Sequence, residues 1–445
     1  MKISKYKRTI IFLLRLLNVA GITGLMAFEW YHNFANAIPN PLSNTGNIII
    51  ILLYLILIVT FTQLNNGYKI GENRITESFY YNTISLICIN ILYFIIICLM
   101  YRTYLKVMLT PYLKITFIQI IYLAFWAIFS NKVYFLIYKA RKILYVYEDN
   151  VGPALSKMRK RHDKYNVASI KEVYSINNLD DELKKYEAVV LDIKNSNIKD
   201  LYINTCYVHH KRLYIVPDYT DVLIESSEMV NLLDSPIYLL KNRGISYEQD
   251  IIKRIFDLII SLIALIVLSP IFIITIIAIK LEDHGPVFYT QRRLTKNGKV
   301  FKIIKFRSMI VDAEKYSGAV RMSSHDNRIT HVGKVIRAIR VDELPQLLNI
   351  IKGDMSIVGP RPERPEIAEE IYQTVPEFRY RLNGRAGLTG YAQVMGKYNT
   401  SFEDKLMYDL MYLENYSLLF DLKIMLLTIK TLFKPDATEG VKEDE

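Results

Sequence analysis

The chain has 445 residues, 51% of them hydrophobic and 22% charged, with a formal net charge of +12. That length exceeds one ordinary domain, and the mixture fits membrane segments joined to soluble parts. Three cysteines, with Cys88 and Cys98 inside an apolar run, exclude a disulfide framework and zinc-ligand spacing.

Apolar windows fall at Thr9–Phe28, Ile48–Leu64, Ile84–Tyr101 and Tyr112–Tyr138. Each is about the length a bilayer core requires at ~1.5 Å per helical residue. The N-terminus is basic and then apolar, but Phe28-Glu29-Trp30 makes a poor cleavage site, so a retained helix is expected rather than a signal peptide. Lys2, Lys5, Lys7 and Arg8 precede the first window, and Lys139, Arg141 and Lys142 follow the fourth. Both ends then face the cytoplasm, while Arg102 and Lys106 fall on the outer side against the rule. Residues 1–140 are expected to form a four-helix transmembrane region.

Residues 141–245 read as a soluble α/β domain. Ile143–Tyr147, Ala188–Asp192 and Arg212–Val216 are β-rich runs, with helical composition at Gly152–Tyr165 and Leu179–Tyr186. The alternation predicts a small parallel sheet of Rossmann-like type. A dinucleotide binder needs closely spaced glycines after its first strand. Here the turn Tyr147–Gly152 is acidic and has one glycine, so the domain is expected to be degenerate and to regulate or dimerise. His209-His210, His325 and His331 lack metal spacing and are expected to be structural or surface residues.

Residues 246–281 hold a fifth apolar run, Ile255–Ile279, with Asp257 near its start and Ser269-Pro270 in its middle. On length alone it would span. Basic residues flank both ends: Lys241, Arg243, Lys253 and Arg254 before, and Lys280, Arg292 and Arg293 after. That symmetry and the proline favour a kinked, re-entrant hairpin.

The chemistry-bearing residues lie in 282–445. Seven lysines and arginines between Arg292 and Arg307 include Lys305 and occur with no acidic residue among them, which suits phosphates or anionic lipid. Asp342-Glu343 opens an apolar run; alone, the pair is either a favourable helix start or a nucleophile beside a metal ligand. Arg361 sits between Pro360 and Pro362, as a rigid turn or an anion clamp. Gly384, Gly387 and Gly390 are equally phosphate-cradling or turn glycines. Glu403–Phe433 reads as helices with an apolar face, against the membrane or a core. P-loop, GxSxG and HExxH patterns are lacking.

Three ordered segments, Lys305–Met309 (KFRSM), Asp342–Pro362 (DELPQLLNIIKGDMSIVGPRP) and Gly384–Gln393 (GRAGLTGYAQ), closely resemble the bacterial sugar transferases. These are monotopic phosphoglycosyl transferases, and the long form resembles undecaprenyl-phosphate glucose and galactose phosphotransferases. The likeness covers roughly residues 251–434. It implies a membrane protein of α plus α/β class, with a mainly α catalytic domain behind a helix broken at Ser269-Pro270 and entered through Lys253, Arg254 and Asp257. Asp342 would attack the sugar-bearing phosphate of a UDP-sugar and form a phosphosugar-enzyme intermediate. Glu343 would hold Mg²⁺, and Lys305 would belong to the active site. Arg307, Arg340, Arg361, Arg385 and Asp409 would bind substrate, Asp409 by its match to Asp-x-x-Tyr-x-x-x-x-Ser. Undecaprenyl phosphate would then take the sugar phosphate at the cytoplasmic face of the bacterial inner membrane, starting a surface polysaccharide. Membrane lipids are the implied partners, nucleic acid is not, and the N-terminal regions admit self-association. Two rivals remain: direct attack by the lipid in a ternary complex, and a non-catalytic scaffold for polysaccharide assembly. Thr295, where the family usually has glycine, puts the local turn in question.

Overall fold

A computed structural model describes residues 6–35, 41–101, 105–176, 178–240, 244–311, 328–396 and 400–432. Lys2, Lys5, Arg102, Lys241, Arg243 and His325, weighed above, lie outside the described residues. The chain forms two compact units, Met1–Val216 and Pro217–Glu445.

The first unit opens with four apolar helices: α1 (Lys7–Glu29), α2 (Asn44–Leu64), α3 (Ile75–Tyr101) and α4 (Leu105–Ile137). All four are long and apolar enough to cross a membrane. Ser43 caps α2 by accepting the Gly46 N–H. The four helices share one buried polar chain. Tyr54 donates to Asn90 Oδ1 (2.8 Å), Asn90 donates to Gln119 Oε1 (2.9 Å), and Gln119 donates to the Ile22 carbonyl (3.2 Å). In apolar surroundings each unmade bond would cost more than in water, so the chain fixes rotation and register among the helices.

A sheet follows: β1 (Arg141–Tyr147), α5 (Pro153–Arg159), β2 (Tyr165–Glu172), α6 (Leu179–Lys184), β3 (Ala188–Asp192), α7 (Ser196–Val208) and β4 (Arg212–Ile215). The strands are all parallel in the order β2-β1-β3-β4. Leu144, Val146, Val189 and Leu191 bury one face, and Ile143, Tyr145, Ala188 and Val190 the other. Burial on both faces explains the unbroken apolar runs of β1 and β3.

The second unit begins with α8 (Tyr219–Glu225) and an exposed hairpin of β5 (Glu228–Leu232) and β6 (Ser235–Leu239). Next comes α9 (Tyr247–Asp283), 37 residues with Pro270 inside, started by a Ser246–Gln249 capping box. The hairpin β7 (Phe288–Leu294) and β8 (Val300–Phe306) leads to α10 (His331–Ala338), a 3₁₀ turn at Val341–Glu343, and α11 (Gln346–Lys352). Strand β9 (Met355–Val358) pairs in parallel with β10 (Ala386–Thr389) across α12 (Pro365–Thr374). Helices α13 (Tyr391–Met395), α14 (Phe402–Glu414) and α15 (Leu418–Leu432) complete the unit. Leu406, Leu410, Leu413, Ile424 and Leu427 are buried, so α14 and α15 spend their apolar faces on the core.

Both arms of α9 rest on this unit. The first arm places Ile260, Ala264 and Leu265 against Phe301, Leu347, Ile350 and Ile357, while the second places Phe272, Ile276 and Ile279 against Phe306 and Ile336. Between them Leu262, Ile263, Ile266, Val267, Ile271, Ile273 and Ile274 are exposed, as are Ser269 and Pro270. The expected flanking charges behave differently from the expectation. Lys253 is buried on Asp421 (2.6 Å), and Arg254 donates to the Ile350 and Ile351 carbonyls, so neither is a free charge for the positive-inside count.

Candidate active site

Three elements converge. On β8 the residues Phe301, Ile303 and Lys305 share one face by strand alternation, and the first two are buried in the core. Lys305 occupies the third place because the core ends there, at a carboxylate. The 3₁₀ turn supplies that carboxylate: Val341 and Leu344 pack into the apolar cluster of Phe306 and Ile336, and Glu343 between them meets Lys305. Arg340, at φ +56°, makes the left-handed step that starts the turn, an uncommon conformation for a residue with a Cβ. Arg361 comes from the segment after β9.

Lys305 Nζ and an Arg361 guanidinium nitrogen both bond the same oxygen, Glu343 Oε1, at 2.9 and 3.1 Å. Burial raises the Glu343 carboxyl, but Lys305, Arg361 and Arg340 outweigh it and hold the group well below the usual range. Asp342 goes the other way. Burial and the neighbouring Glu343 charge push it up, and Lys305, Arg337 and Arg361 only partly offset them. Four cations thus surround two carboxylates whose environments are unequal.

The Arg361 backbone is held along its whole approach. Asp257 Oδ1 accepts the Ile357 N–H (3.2 Å), and Tyr412 donates to the Val358 carbonyl (3.1 Å). Gly359 N–H bonds Thr389 O and Gly387 N–H bonds Pro360 O, each at 2.9 Å. Arg381 then donates to the Arg361 carbonyl (2.9 Å) and Arg293 to the Pro362 carbonyl (3.0 Å).

Among the described residues no group of three or more His, Cys, Asp or Glu forms a ready metal cage. Mg²⁺ commonly needs only one or two carboxylates and completes its shell with water and substrate phosphates. Asp342 and Glu343, an adjacent carboxylate pair, fit the number of protein ligands that mode requires.

Residues 248–435 match the family model described as bacterial sugar transferase. The exopolysaccharide production protein ExoY of Sinorhizobium fredii is 42% identical over 191 residues, 40% of this chain and 83% of that protein. The chain belongs to the bacterial sugar transferase family. It is 35% identical over 262 residues, 56% of its length, to the UDP-N-acetylgalactosamine-undecaprenyl-phosphate N-acetylgalactosaminephosphotransferase of Aeromonas hydrophila. A UDP-glucose:undecaprenyl-phosphate glucose-1-phosphate transferase of Escherichia coli is 33% identical over 220 residues, 48% of this chain. The chain spans 59% of the Aeromonas protein and 47% of the Escherichia one.

In this member of the family, the remaining sequence candidates are engaged away from Glu343. Arg307 is buried on Asp283, and Arg385 bonds Asp250 (2.9 Å), which also meets Lys296. Asp409 is buried on Arg381 (2.8 Å), one step behind the Arg361 carbonyl. Burial pushes its carboxyl up to about 6 although Arg381 pulls the other way. It therefore reaches the site through Arg381, which also meets Glu363 (3.7 Å); no motif pointed to either residue, and Arg293 was visible only as one charge of the basic run.

The glycines serve backbone packing. A Cβ on Gly387 would lie 2.2 Å from Gly359 N and 2.5 Å from Gly359 O, and the Gly387 N–H is already spent on Pro360. Gly387→Ala is expected to destabilise the protein by about 3 kcal/mol through backbone overpacking. A lowered thermal midpoint in detergent checks this, whereas a loss of phosphate affinity with unchanged melting would return the phosphate-cradle reading. Thr295 leaves its turn intact: its hydroxyl donates to the Asp354 carbonyl (2.8 Å) and accepts the Ala386 N–H (3.1 Å).

Proposed function

We propose that this protein transfers a sugar-1-phosphate from a UDP-sugar to undecaprenyl phosphate. The single observation that carries the reading is the half-buried, basic Asp342 beside a Glu343 already neutralised by Lys305 and Arg361. An Asp342 oxygen attacks the sugar-bearing phosphorus, and the bond to the bridging oxygen breaks with its electron pair leaving on UMP. A lipid phosphate oxygen then attacks that phosphorus, the acyl-phosphate bond breaks, and the Asp342 carboxylate is restored. Lys305 and Arg361 exchange Glu343 for the donor's phosphates, bind them and orient the sugar-bearing phosphorus. When bound, Mg²⁺ at Glu343 supplies neutralisation of the diphosphate.

Helices α1–α4 form the transmembrane bundle in this reading, and the catalytic unit works at the cytoplasmic face. Support for a re-entrant α9 comes from its two arms. Arg254 and Glu282, which accepts the Val332 N–H (3.2 Å), are separated by about 42 Å of helix contour. Both contact the same soluble unit, whereas a spanning helix separates its ends by a ~30 Å core. The sheet is a degenerate Rossmann-like domain. Asp192 takes the Gly152 N–H (3.0 Å) and Glu148 takes those of Lys194 and Asn195, so the chain's own carboxylates fill positions a phosphate would use.

The deciding experiment gives purified protein undecaprenyl phosphate, Mg²⁺ and UDP-N-acetylgalactosamine, UDP-glucose or UDP-galactose, and follows UMP. Lipid-dependent turnover supports the transferase and names its sugar, and silence across a full UDP-sugar panel favours the scaffold. The rate should fall toward acid with a midpoint above the usual carboxylate range, as Asp342 takes its proton. Lys305→Met removes a cation that lowers this pKa, so the acid limb should move to higher pH. An acid limb unmoved by the substitution would take Lys305 out of contact with the nucleophile.

A further inference from the structure

We infer that Arg254 and Asp257 of α9 are positioning residues for the reaction, each acting through one element that carries an active-site side chain. The inference rests on the reading of Asp342, Glu343 and Arg361 as the reacting cluster.

Arg254 donates to the last-turn carbonyls of α11, Ile350 and Ile351. Those carbonyls are the negative end of a short helix whose opposite end begins three residues after Glu343. A seven-residue helix has little stability of its own, so the guanidinium at one end fixes where the carboxylate pair stands at the other. Asp257 acts on the second element. Its Oδ1 takes the Ile357 N–H, four residues before Arg361, and the intervening backbone bonds to Thr389 and Gly387 carry that placement forward. Asp257 is 1% exposed, and a carboxylate buried this deeply is costly unless it holds a partner, here the Ile357 N–H. Lys253, one position before Arg254, completes the arrangement by anchoring on Asp421, which Tyr412 also holds (2.8 Å).

Both holds sit on one arm of the helix whose middle is exposed and apolar. Arg254 and Asp257 grip α11 and β9 at different points of that arm, so a rotation or tilt of the arm displaces the two elements unequally and alters the spacing between Glu343 and Arg361. Misplacement of ~1 Å in a reacting cluster costs on the order of 10²-fold in rate.

The test is a double-mutant cycle on UMP release by the full-length protein, with active sites counted from the burst of UMP formed without lipid. Asp257→Ala is expected to raise KM for the UDP-sugar about tenfold, and to add less than about twofold once Arg361→Ala is present, because the two act in series. Asp257→Asn, which keeps the acceptor oxygen, should recover most of the loss, and it stands in if Asp257→Ala fails to fold. Arg254→Lys should lower kcat per active site with KM nearly unchanged. Full additivity of Asp257→Ala with Arg361→Ala would overturn the inference, as would variants that lose only folded protein at wild-type kcat and KM. A wild-type protein with no burst, or an Asp342→Asn variant with one, would instead sink the reading on which the inference rests.

Discussion

Asp342→Asn is expected to lower turnover by at least about 10³-fold while leaving the protein as stable as before or more so. The activity half follows from chemistry: an amide oxygen is a poor nucleophile for phosphorus and yields no acyl phosphate that a lipid phosphate could displace. The stability half follows from the direction of the Asp342 shift, upward by burial and by the Glu343 charge. A carboxyl whose folded pKa lies above its unfolded value favours folding most below the unfolded value, and that contribution is lost as pH rises through the folded one. Above the folded pKa that contribution is gone, and asparagine removes the buried charge that causes the loss. UMP release and a thermal melt of the same preparation check both halves. A second measurement separates the covalent route from direct attack. Labelled UMP should exchange into UDP-sugar without lipid in the wild type and not in the variant. Exchange that requires lipid would favour the ternary complex, and an active Asn variant would move the nucleophile elsewhere.

Local pattern and long-range pairing were unequally legible. The apolar windows found α1–α4 because hydrophobicity over ~20 residues needs no tertiary information. They fell short at α3, where Ile75–Thr83 is polar yet helical. The buried strands β1 and β3 were visible as β-rich runs, but β2, an edge strand with the sequence YNVASIKE, was hidden by its polar residues. The hairpin Glu228–Leu239 was missed as well, its strands too exposed to carry an alternating pattern. In the site, adjacency in sequence delivered Asp342-Glu343, and the ordered motifs brought Lys305 and Arg361 to it. What no spacing reveals is which cation a distant carboxylate takes. Arg385 finds Asp250 across 135 positions and Lys253 finds Asp421 across 168. Arg385, expected to bind substrate, and Lys253, expected as a flanking charge, each hold one of the chain's own carboxylates.

Glu343→Gln should separate binding from catalysis. In the free protein Glu343 Oε1 holds both Lys305 and Arg361, and the pair of cations keeps the carboxyl ionised across the working range. Donor phosphates must therefore draw those cations away from Glu343 before they bind, at the expense of two charge-assisted hydrogen bonds. A neutral glutamine weakens that competition, so KM for the UDP-sugar is expected to hold or fall. It also removes the charge with which Glu343 would keep Mg²⁺ on the diphosphate. Preorganised charge at developing charge is worth roughly 10²–10³ in rate, and kcat should drop by that order while the Mg²⁺ concentration for half-maximal rate rises. Arg361→Ala should do the opposite to binding and raise KM, because it deletes the proposed phosphate ligand. A Gln variant with wild-type kcat and an unchanged Mg²⁺ requirement would take the metal away from Glu343. It would leave that residue the narrower task of holding Lys305 and Arg361 apart until a substrate arrives.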